Sequence, residues 1–407
     1  MNIVVKKFGG NTLNKKNSKQ LLLNIIKTSL DNHDFPVIVV SALGRIENPY
    51  STDSLLSILE EYKVVVNERE KDLLMSCGEI IASVVVSGIL NELEIETEVL
   101  TGAQAGILTN GDHGNAKVIS IETNKINDLI NKKIIPIITG FQGVSETGNI
   151  TTLGRGGSDI SAIAIGAAID ANKVEIYTDV NGIYTADPRL VSNANLLKSI
   201  SYTELFQMAS HGSKVVHPRA VELAMSNNLP LYVCNIEDHF EGTVVTKEQI
   251  QYLENAKPKV ITAISHEPDL VQAYYPKITQ KDSEKLYKAL AENGVSLDLI
   301  NITSEGHYFI INSAQVINVK KISDSLNIKY KFKHDVTKVS CVGLGMHRQP
   351  GVFSRIISTL VGNNIEVIQT TDSHMNITCL IDSDKLILAL EALHKEFFTT
   401  QLEKEDA

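Results

Sequence analysis

Short apolar runs bounded by glycine and polar turns recur through the first 250 residues. Ile3-Val4-Val5, residues 36–40 (PVIVV), residues 134–141 (IIPIITGF), Val174-Glu175-Ile176-Tyr177 and Leu231-Tyr232-Val233 are too short for helices and almost wholly apolar. Such runs predict strands buried on both faces. Between them, apolar residues recur at helical spacing. One helix is expected to start near Asn17 or Ser18, with Leu21, Leu22, Ile25 and Ile26 inward, and another covers residues 73–82. A third follows Ser158-Asp159, with Ile160, Ile163, Ala164 and Ala167 on one face. Strands and helices alternate, and each strand runs into a glycine-rich or polar loop. The pattern predicts a doubly wound α/β sheet with its ligand at the carboxyl edge of the strands. Residues 242–245 read as a closing edge strand, and polar residues 247–259, with Pro258, as a linker.

The last third changes character and contains a repeat. Residues 290–311 lie on residues 360–381 at a constant offset of 70: Val295 falls on Ile365, Thr303 on Ser373, and YFII on TCLI. Each copy reads strand, helix, strand, strand, which predicts two small α+β modules. Neither copy holds a nucleophile–base pair or a glycine phosphate loop. Their polar residues (Asp298, Asn301, Pro350-Gly351, Gln369, Asp372, Ser373) fall at strand ends and helix starts. That placement suits small-molecule sensing or dimerisation better than chemistry.

Composition narrows the class. A chain of 407 residues is too long for one ordinary core, so two or three domains are expected. Apolar residues at 43% and charged residues at 21% match a soluble globular protein. Asp+Glu 48 against Lys+Arg 38 gives a formal charge of −10, which disfavours nucleic acid as the main partner. No uncharged apolar run reaches the roughly 20 residues of a membrane helix, and the N-terminus lacks the order of a signal peptide. Cys77, Cys234, Cys341 and Cys379 are far apart, without a C-x-x-C pair. They suit buried thiols in a reducing cytoplasm better than disulfides or zinc.

The candidate chemistry centres on residues 151–189. TTLGRGGSD is a glycine-rich loop with one cation, Arg155, and Ser158 or Asp159 is expected to cap the following helix. Free backbone N–H groups there would bind phosphate or carboxylate. After the next strand come two loop acids, Asp179 and Asp187. Near the N-terminus, Lys7-Phe8-Gly9-Gly10 between strand and helix reads as a phosphate cradle, or as a glycine turn with a surface lysine. Neither a Walker A spacing nor G-x-G-x-x-G is present here. Ser41, Thr52 and Asp53 could meet a small polar ligand; Thr52-Asp53 also reads as a helix cap, and both can hold. Glu79 stands in a helix otherwise almost wholly apolar, so it has a partner or an exposed face. Lys214 and His217 lie in QMASHGSKVVHP.

Together, KFGG, MSCGE, GFQG, TTLGRGGSD, YTDVNGIYTADPR and SKVVHP resemble the aspartokinase family, in order over nearly the whole chain. SALGR with PYSTD, LINITSE and QTTDSH resemble its monofunctional, diaminopimelate-sensitive form. The resemblance implies an amino-acid-kinase domain at 1–248 followed by two ferredoxin-like ACT modules, at 260–335 and 336–400. It implies ATP-dependent phosphorylation of the β-carboxylate of L-aspartate. A catalytically inactive sensor and a kinase for a related amino acid are the rivals; the chain's length disfavours a fused homoserine dehydrogenase.

By the same resemblance, Lys7, Phe8, Gly9 and Gly10 would hold the ATP phosphates. Thr178, Asp179, Tyr184, Asp187 and Lys214 would line the nucleotide pocket. Ser41, Thr52, Glu79, Arg155 and Ser158 would hold aspartate, with Lys7, Arg155 and Asp159 catalytic. Mg²⁺ would be held mainly by ATP rather than by a protein cage. Asp298, Asn301, Gln369 and Asp372 would contact an amino-acid effector (diaminopimelate, lysine or threonine), and the ACT modules would build a dimer or tetramer. Asn11-Thr12 departs from the usual Thr-Ser but keeps a hydroxyl. Cys234-Asn235-Ile236 replaces a common Arg-Ser-Ser.

Overall fold

The structure, a computed structural model, describes residues 1–44, 48–237, 242–247, 260–344, 346 and 349–399. The chain divides into two compact units. The first comprises Met1–Ile183, Leu196–Ala209 and Lys214–Glu254; the second comprises Tyr184–Asn195, Ser210–Ser213 and Asn255–Ala407.

The first unit is built on an eight-stranded sheet among the described residues. Its order is Ser199–Ser201, Gly242–Thr246, Leu231–Asn235, Lys173–Thr178, Asn2–Phe8, Asp34–Val40, Ile135–Thr139, Thr97–Leu100. The central strands pair in parallel, as apolar runs joined by helices require. Gly242–Thr246 is not the edge expected from its sequence. It pairs on both sides, antiparallel with Leu231–Asn235 and parallel with Ser199–Ser201, and the latter is the edge. Residues 248–259, most of the expected linker, lie outside the described residues.

The Glu68–Leu90 helix is capped by Asn67, whose side chain accepts the Glu70 N–H at 3.1 Å. It is long and apolar enough to cross a membrane. Asp72, Ser76, Gly78, Glu79, Ala82, Ser83, Val86 and Leu90 are nevertheless buried along it, so one face is a protein core face. A smaller sheet, Val118–Ile121, Ile107–Thr109, Gln142–Ser145, Ile150–Thr152, leads through its last strand into the arginine loop.

Strand alternation decides what the first strand does. Lys6 and Lys7 point to opposite faces. Lys6 is buried and its ammonium pairs with the Glu175 carboxylate. Lys173 joins that carboxylate at 2.8 Å, and the Tyr177 hydroxyl donates to it at 2.8 Å. Burial alone would push the Glu175 carboxyl up. The Lys6 and Lys173 ammonium groups overcome that and pull it down to about 2.

The second unit confirms the repeat and extends it. Gly306–Asn312 and Asn376–Asp382 lie 70 residues apart, and so do the starts of the helices that follow, Val316–Ser325 and Leu386–His394. Those helices were not visible in the sequence pattern. Six strands form one sheet among the described residues: Asp298–Ile302, Gly306–Asn312, Ala263–Pro276, Lys331–Val342, Asn376–Asp382, Gln369–Asp372. The two central strands are long and serve both halves, so residues 335 and 336 fall inside a strand rather than between modules.

Glu175→Ala leaves the Lys6 ammonium in the interior without its carboxylate. It should cost about 3–5 kcal/mol of stability at pH 7, measured by chemical denaturation. Because the folded carboxyl lies below its ordinary 4.5, the stability it contributes is present above that pH and is lost as pH falls toward about 2. The deficit of the variant should therefore shrink across that interval; a constant deficit would mean lost packing alone.

Candidate active site

A cleft of about 570 Å³ opens at the carboxyl edge of the sheet, a size suited to small ligands. Its walls include Lys7, Gly9, Gly10, Ser41, Thr52, Glu79, Arg155, Ser158, Asp159, Thr178, Asp179 and Lys214. Three other expected site residues do not line it. Phe8 is buried beneath, its ring stacked on Tyr177 at 4.8 Å. Tyr184 and Asp187 belong to the second unit. Asp187 is engaged by the Arg189 guanidinium, at 2.9 Å to Nε and 2.7 Å to Nη2, and those bonds hold its carboxyl below the usual range.

The first strand delivers Lys7 to the cleft. Its ammonium lies 2.7 Å from Asp159 Oδ1, an ion pair out of line for a hydrogen bond. Gly9 N–H donates to the Tyr177 carbonyl at 3.2 Å, and Gly44 N–H donates to the Gly10 carbonyl at 3.0 Å. A Cβ on Gly10 would stand 2.2 Å from the Ala42 carbonyl oxygen, so this turn accepts only glycine. Asn11, one of the family departures, donates to Asp179 at 2.9 Å. Thr12 is buried, with its hydroxyl toward the Tyr177 carbonyl at 3.4 Å.

The arginine loop ends differently from expectation. The helix begins at Gly157 and its cap is Gly156, left-handed at φ 72°, with no side-chain cap. Ser158 and Asp159 lie in the first turn instead, where backbone N–H groups have no partner within the helix. A Cβ on Gly156 would meet the Cβ of His217 at 2.3 Å. His217 caps its own helix, accepting the Arg219 N–H at 3.3 Å. Likewise Ser51, not Thr52 or Asp53, caps the Thr52–Glu61 helix, and Thr52 and Asp53 are left to face the cleft.

Charges in the cleft are unevenly matched. The exposed cations Arg155 and Lys214 have no hydrogen-bond or ion-pair partner among the described residues. Glu79 is buried: Oε1 accepts the Ala42 N–H at 3.0 Å, and Oε2 has no partner among the described residues. Burial pushes its carboxyl up to about 8, against the Ala42 hydrogen bond. The structure thus decides between the two readings of Glu79, and its protein partner is only half present. No group of three or more metal-binding side chains occurs among the described residues.

Four groups that the sequence did not single out, Asp72, His113, Thr152 and Arg219, hydrogen-bond the segments next to Arg155. The one signal was an acid seven residues before Glu79 in the same helix. In the second unit, Asp298 and Gln369 meet around Leu299. Asp298 accepts the Leu299 N–H at 2.7 Å, and Gln369 donates to the Leu299 carbonyl. Asp298 also pairs with the buried Lys338. Asn301 and Asp372 are exposed on the same two strands, outside that cluster.

Comparison with known proteins bears on this geometry. Residues 2–235 match the amino acid kinase family, and residues 339–397 match an ACT domain. Aspartokinase 1 of Bacillus subtilis is 39% identical over 98% of this chain and 99% of its own. The aspartokinase of Geobacillus stearothermophilus is 34% identical over 98% and 97%. Among solved structures, E. coli aspartokinase III in complex with aspartate and ADP superposes with a TM-score of 0.81 at 23% identity, covering 97% of this chain and all of that one.

Glu79→Gln supplies a neutral isostere for a carboxyl that the fold prefers protonated. The folded group lies above its ordinary value of 4.5, so ionisation costs the native state stability as pH rises from there to about 8. Thermal melts should show the variant gaining on the wild type across that range and holding its advantage above it. An advantage independent of pH would place the carboxyl in a wetter setting.

Proposed function

The chain belongs to the aspartokinase family, and from that premise we propose how its cleft transfers the γ-phosphoryl group of ATP to the β-carboxylate of L-aspartate. The observation that carries the assignment of residues is the half-satisfied Glu79 in one cleft with Arg155 and Lys7.

The nucleophile needs no general base, because a β-carboxylate with an ordinary pKa near 4 is already ionised at neutral pH. The obstacle is repulsion between that anion and the triphosphate. Catalysis is then charge neutralisation and in-line positioning. Lys7 and the Gly10 amide take up charge on the transferring group, with Asp159 fixing the Lys7 ammonium; the Gly9 N–H is already committed to the Tyr177 carbonyl. Lys214 and Thr178 hold the nucleotide. Arg155 forks onto the α-carboxylate, Ser41, Thr52 and Ser158 complete the substrate shell, and Glu79 Oε2 receives the ammonium. Mg²⁺ fits as a companion of the phosphates: the cleft offers Asp179 and Asp159 but no three-ligand cage. When bound, it supplies further charge neutralisation there.

We assign the effector, one of diaminopimelate, lysine or threonine, to the ACT unit near Leu299, where Asp298 and Gln369 converge. Ile300 and Ile302, exposed on the edge strand Asp298–Ile302, favour ACT-mediated assembly into a homo-oligomer. The four cysteines form no disulfide among the described residues, as suits a reducing cytoplasm.

A hydroxamate assay with ATP and Mg²⁺ should register L-aspartate and not glutamate or acetylglutamate; repeated with each effector, it identifies the inhibitor. Lys7→Ala should lower kcat at least about 100-fold, the scale of one lost electrostatic stabiliser; near-wild-type turnover rejects the phosphate role. Because the ionised Glu79 is the binding form, aspartate should bind more tightly as pH rises from 6 to about 8, with proton release. In Glu79→Ala, KM for aspartate should rise and lose that dependence. An unchanged KM with a lowered melting temperature would make Glu79 purely structural.

A further inference from the structure

The Glu68–Leu90 helix carries a second buried acid that the chemistry above leaves unused. Asp72 stands two turns before Glu79 and is fully buried. Three groups converge on its carboxylate. Gly114 N–H donates to both oxygens at 3.1 Å, His113 Nδ1 lies 2.7 Å from Oδ2, and the Thr152 hydroxyl donates to Oδ1. Thr152 ends the strand Ile150–Thr152, and its carbonyl accepts the Ala116 N–H at 2.9 Å. Leu153, Gly154 and Arg155 follow directly. Asp72 therefore seams the loop at 113–116 to the arginine loop. Arg219 closes the other side, with Nη1 donating to the Leu153 carbonyl at 2.9 Å and to Asn115 Oδ1 at 2.8 Å, and Nη2 to the Ala116 carbonyl at 3.1 Å. The Arg155 guanidinium has no partner among the described residues, so only its backbone fixes where it starts from.

We infer that Asp72 is a positioning residue for Arg155. It sets the arginine-loop backbone so that Arg155 stands at a fixed distance from Glu79. One helix then gauges two groups on a single substrate carbon: the ammonium directly through Glu79, and the α-carboxylate through Asp72, Thr152 and Arg155. This rests on the reading of Glu79 and Arg155 given under the proposed function. Asp72 itself touches no substrate. Its burial makes the device stiff, because hydrogen bonds to a charge strengthen away from water.

Steady-state kinetics of the full chain test this with Asp72→Asn, Arg155→Ala and the double variant. Asparagine keeps an acceptor for Gly114 and cannot serve all three donors. Asp72→Asn should raise KM for L-aspartate about 10-fold, the scale of losing a group that orients a ligand contact. KM for ATP should stay within about twofold. In the Arg155→Ala background, Asp72→Asn should add nothing, because the interaction it supports is already gone. The inference is overturned if KM for aspartate is unchanged, if both KM values rise together, or if the effect is equally large without Arg155. If Arg155→Ala alone leaves KM for aspartate unchanged, the assignment of Arg155 falls, and this inference with it. Should Asp72→Asn fail to fold, Thr152→Val removes one link isosterically and carries the same expectations in smaller measure.

Discussion

Everything at the cleft hangs on two adjacent lysines pointing in opposite directions. A strand alternates its side chains, so a run reading Val-Val-Lys-Lys-Phe must send one ammonium into each face of the sheet. On one face Lys6 is sealed in, and Glu175, Lys173 and the Tyr177 hydroxyl make that tolerable. On the other, Lys7 meets Asp159 at the start of the arginine-loop helix. The buried pair is weak evidence for stability in itself, since desolvation offsets most of its attraction. Its value is in register: a one-residue slip of the strand would exchange the two lysines and leave both unmatched. The Phe8–Tyr177 stack and the Gly9 N–H to Tyr177 carbonyl bond fix the same two strands at the same level.

A second constraint follows from placing an acid where water cannot reach it. Glu79 with one oxygen satisfied and one orphaned is a poor structural group and a good receptor for an ammonium. Burial favours its protonated form; under the proposed function, the orphaned oxygen takes a cationic substrate group as the partner that displaces the proton. Recognition is thereby tied to charge as well as shape. Arg155 and Lys214 stand in the opposite condition, solvated cations waiting for anions. The cleft thus holds one buried acid and two exposed cations, and under the proposed function that charge pattern suits an amino acid brought up to a nucleotide.

Much of this was legible in the sequence because it is local. Buried parallel strands announce themselves as short apolar runs, and Gly9-Gly10 and the TTLGRGGSD loop mark where backbone must approach a ligand. The repeat at offset 70 marked two small α+β modules, which the resemblance identified as an ACT pair. What escaped was non-local. Asp72 looks like an ordinary polar position of a helix, and only the fold brings His113, Gly114 and Thr152 to it. The cap of the Gly157–Ala168 helix was misread because Ser158 and Asp159 are good capping types, whereas backbone geometry at Gly156 won. The two long central strands, shared by both halves, hid where one module stops.

The segment YTDVNGIYTADPR is divided between the two units. Thr178 and Asp179 belong to the catalytic unit, but from Tyr184 to Asn195 the chain is part of the ACT unit. The attachment is internal. The Thr185 carbonyl accepts the Ile264 N–H at 2.7 Å, its hydroxyl lies 2.9 Å from His394 Nε2, and Ala186 and Val191 share a core with Cys341, Cys379, Leu390 and Leu393. Burial pushes the His394 imidazole pKa down, so a neutral ring meets a neutral hydroxyl. Close-packed cores move between discrete arrangements rather than bending continuously. Thr185, Ala186 and Val191 are therefore tied to whichever arrangement that core takes. Asp187 lies between them, its carboxylate closed on Arg189.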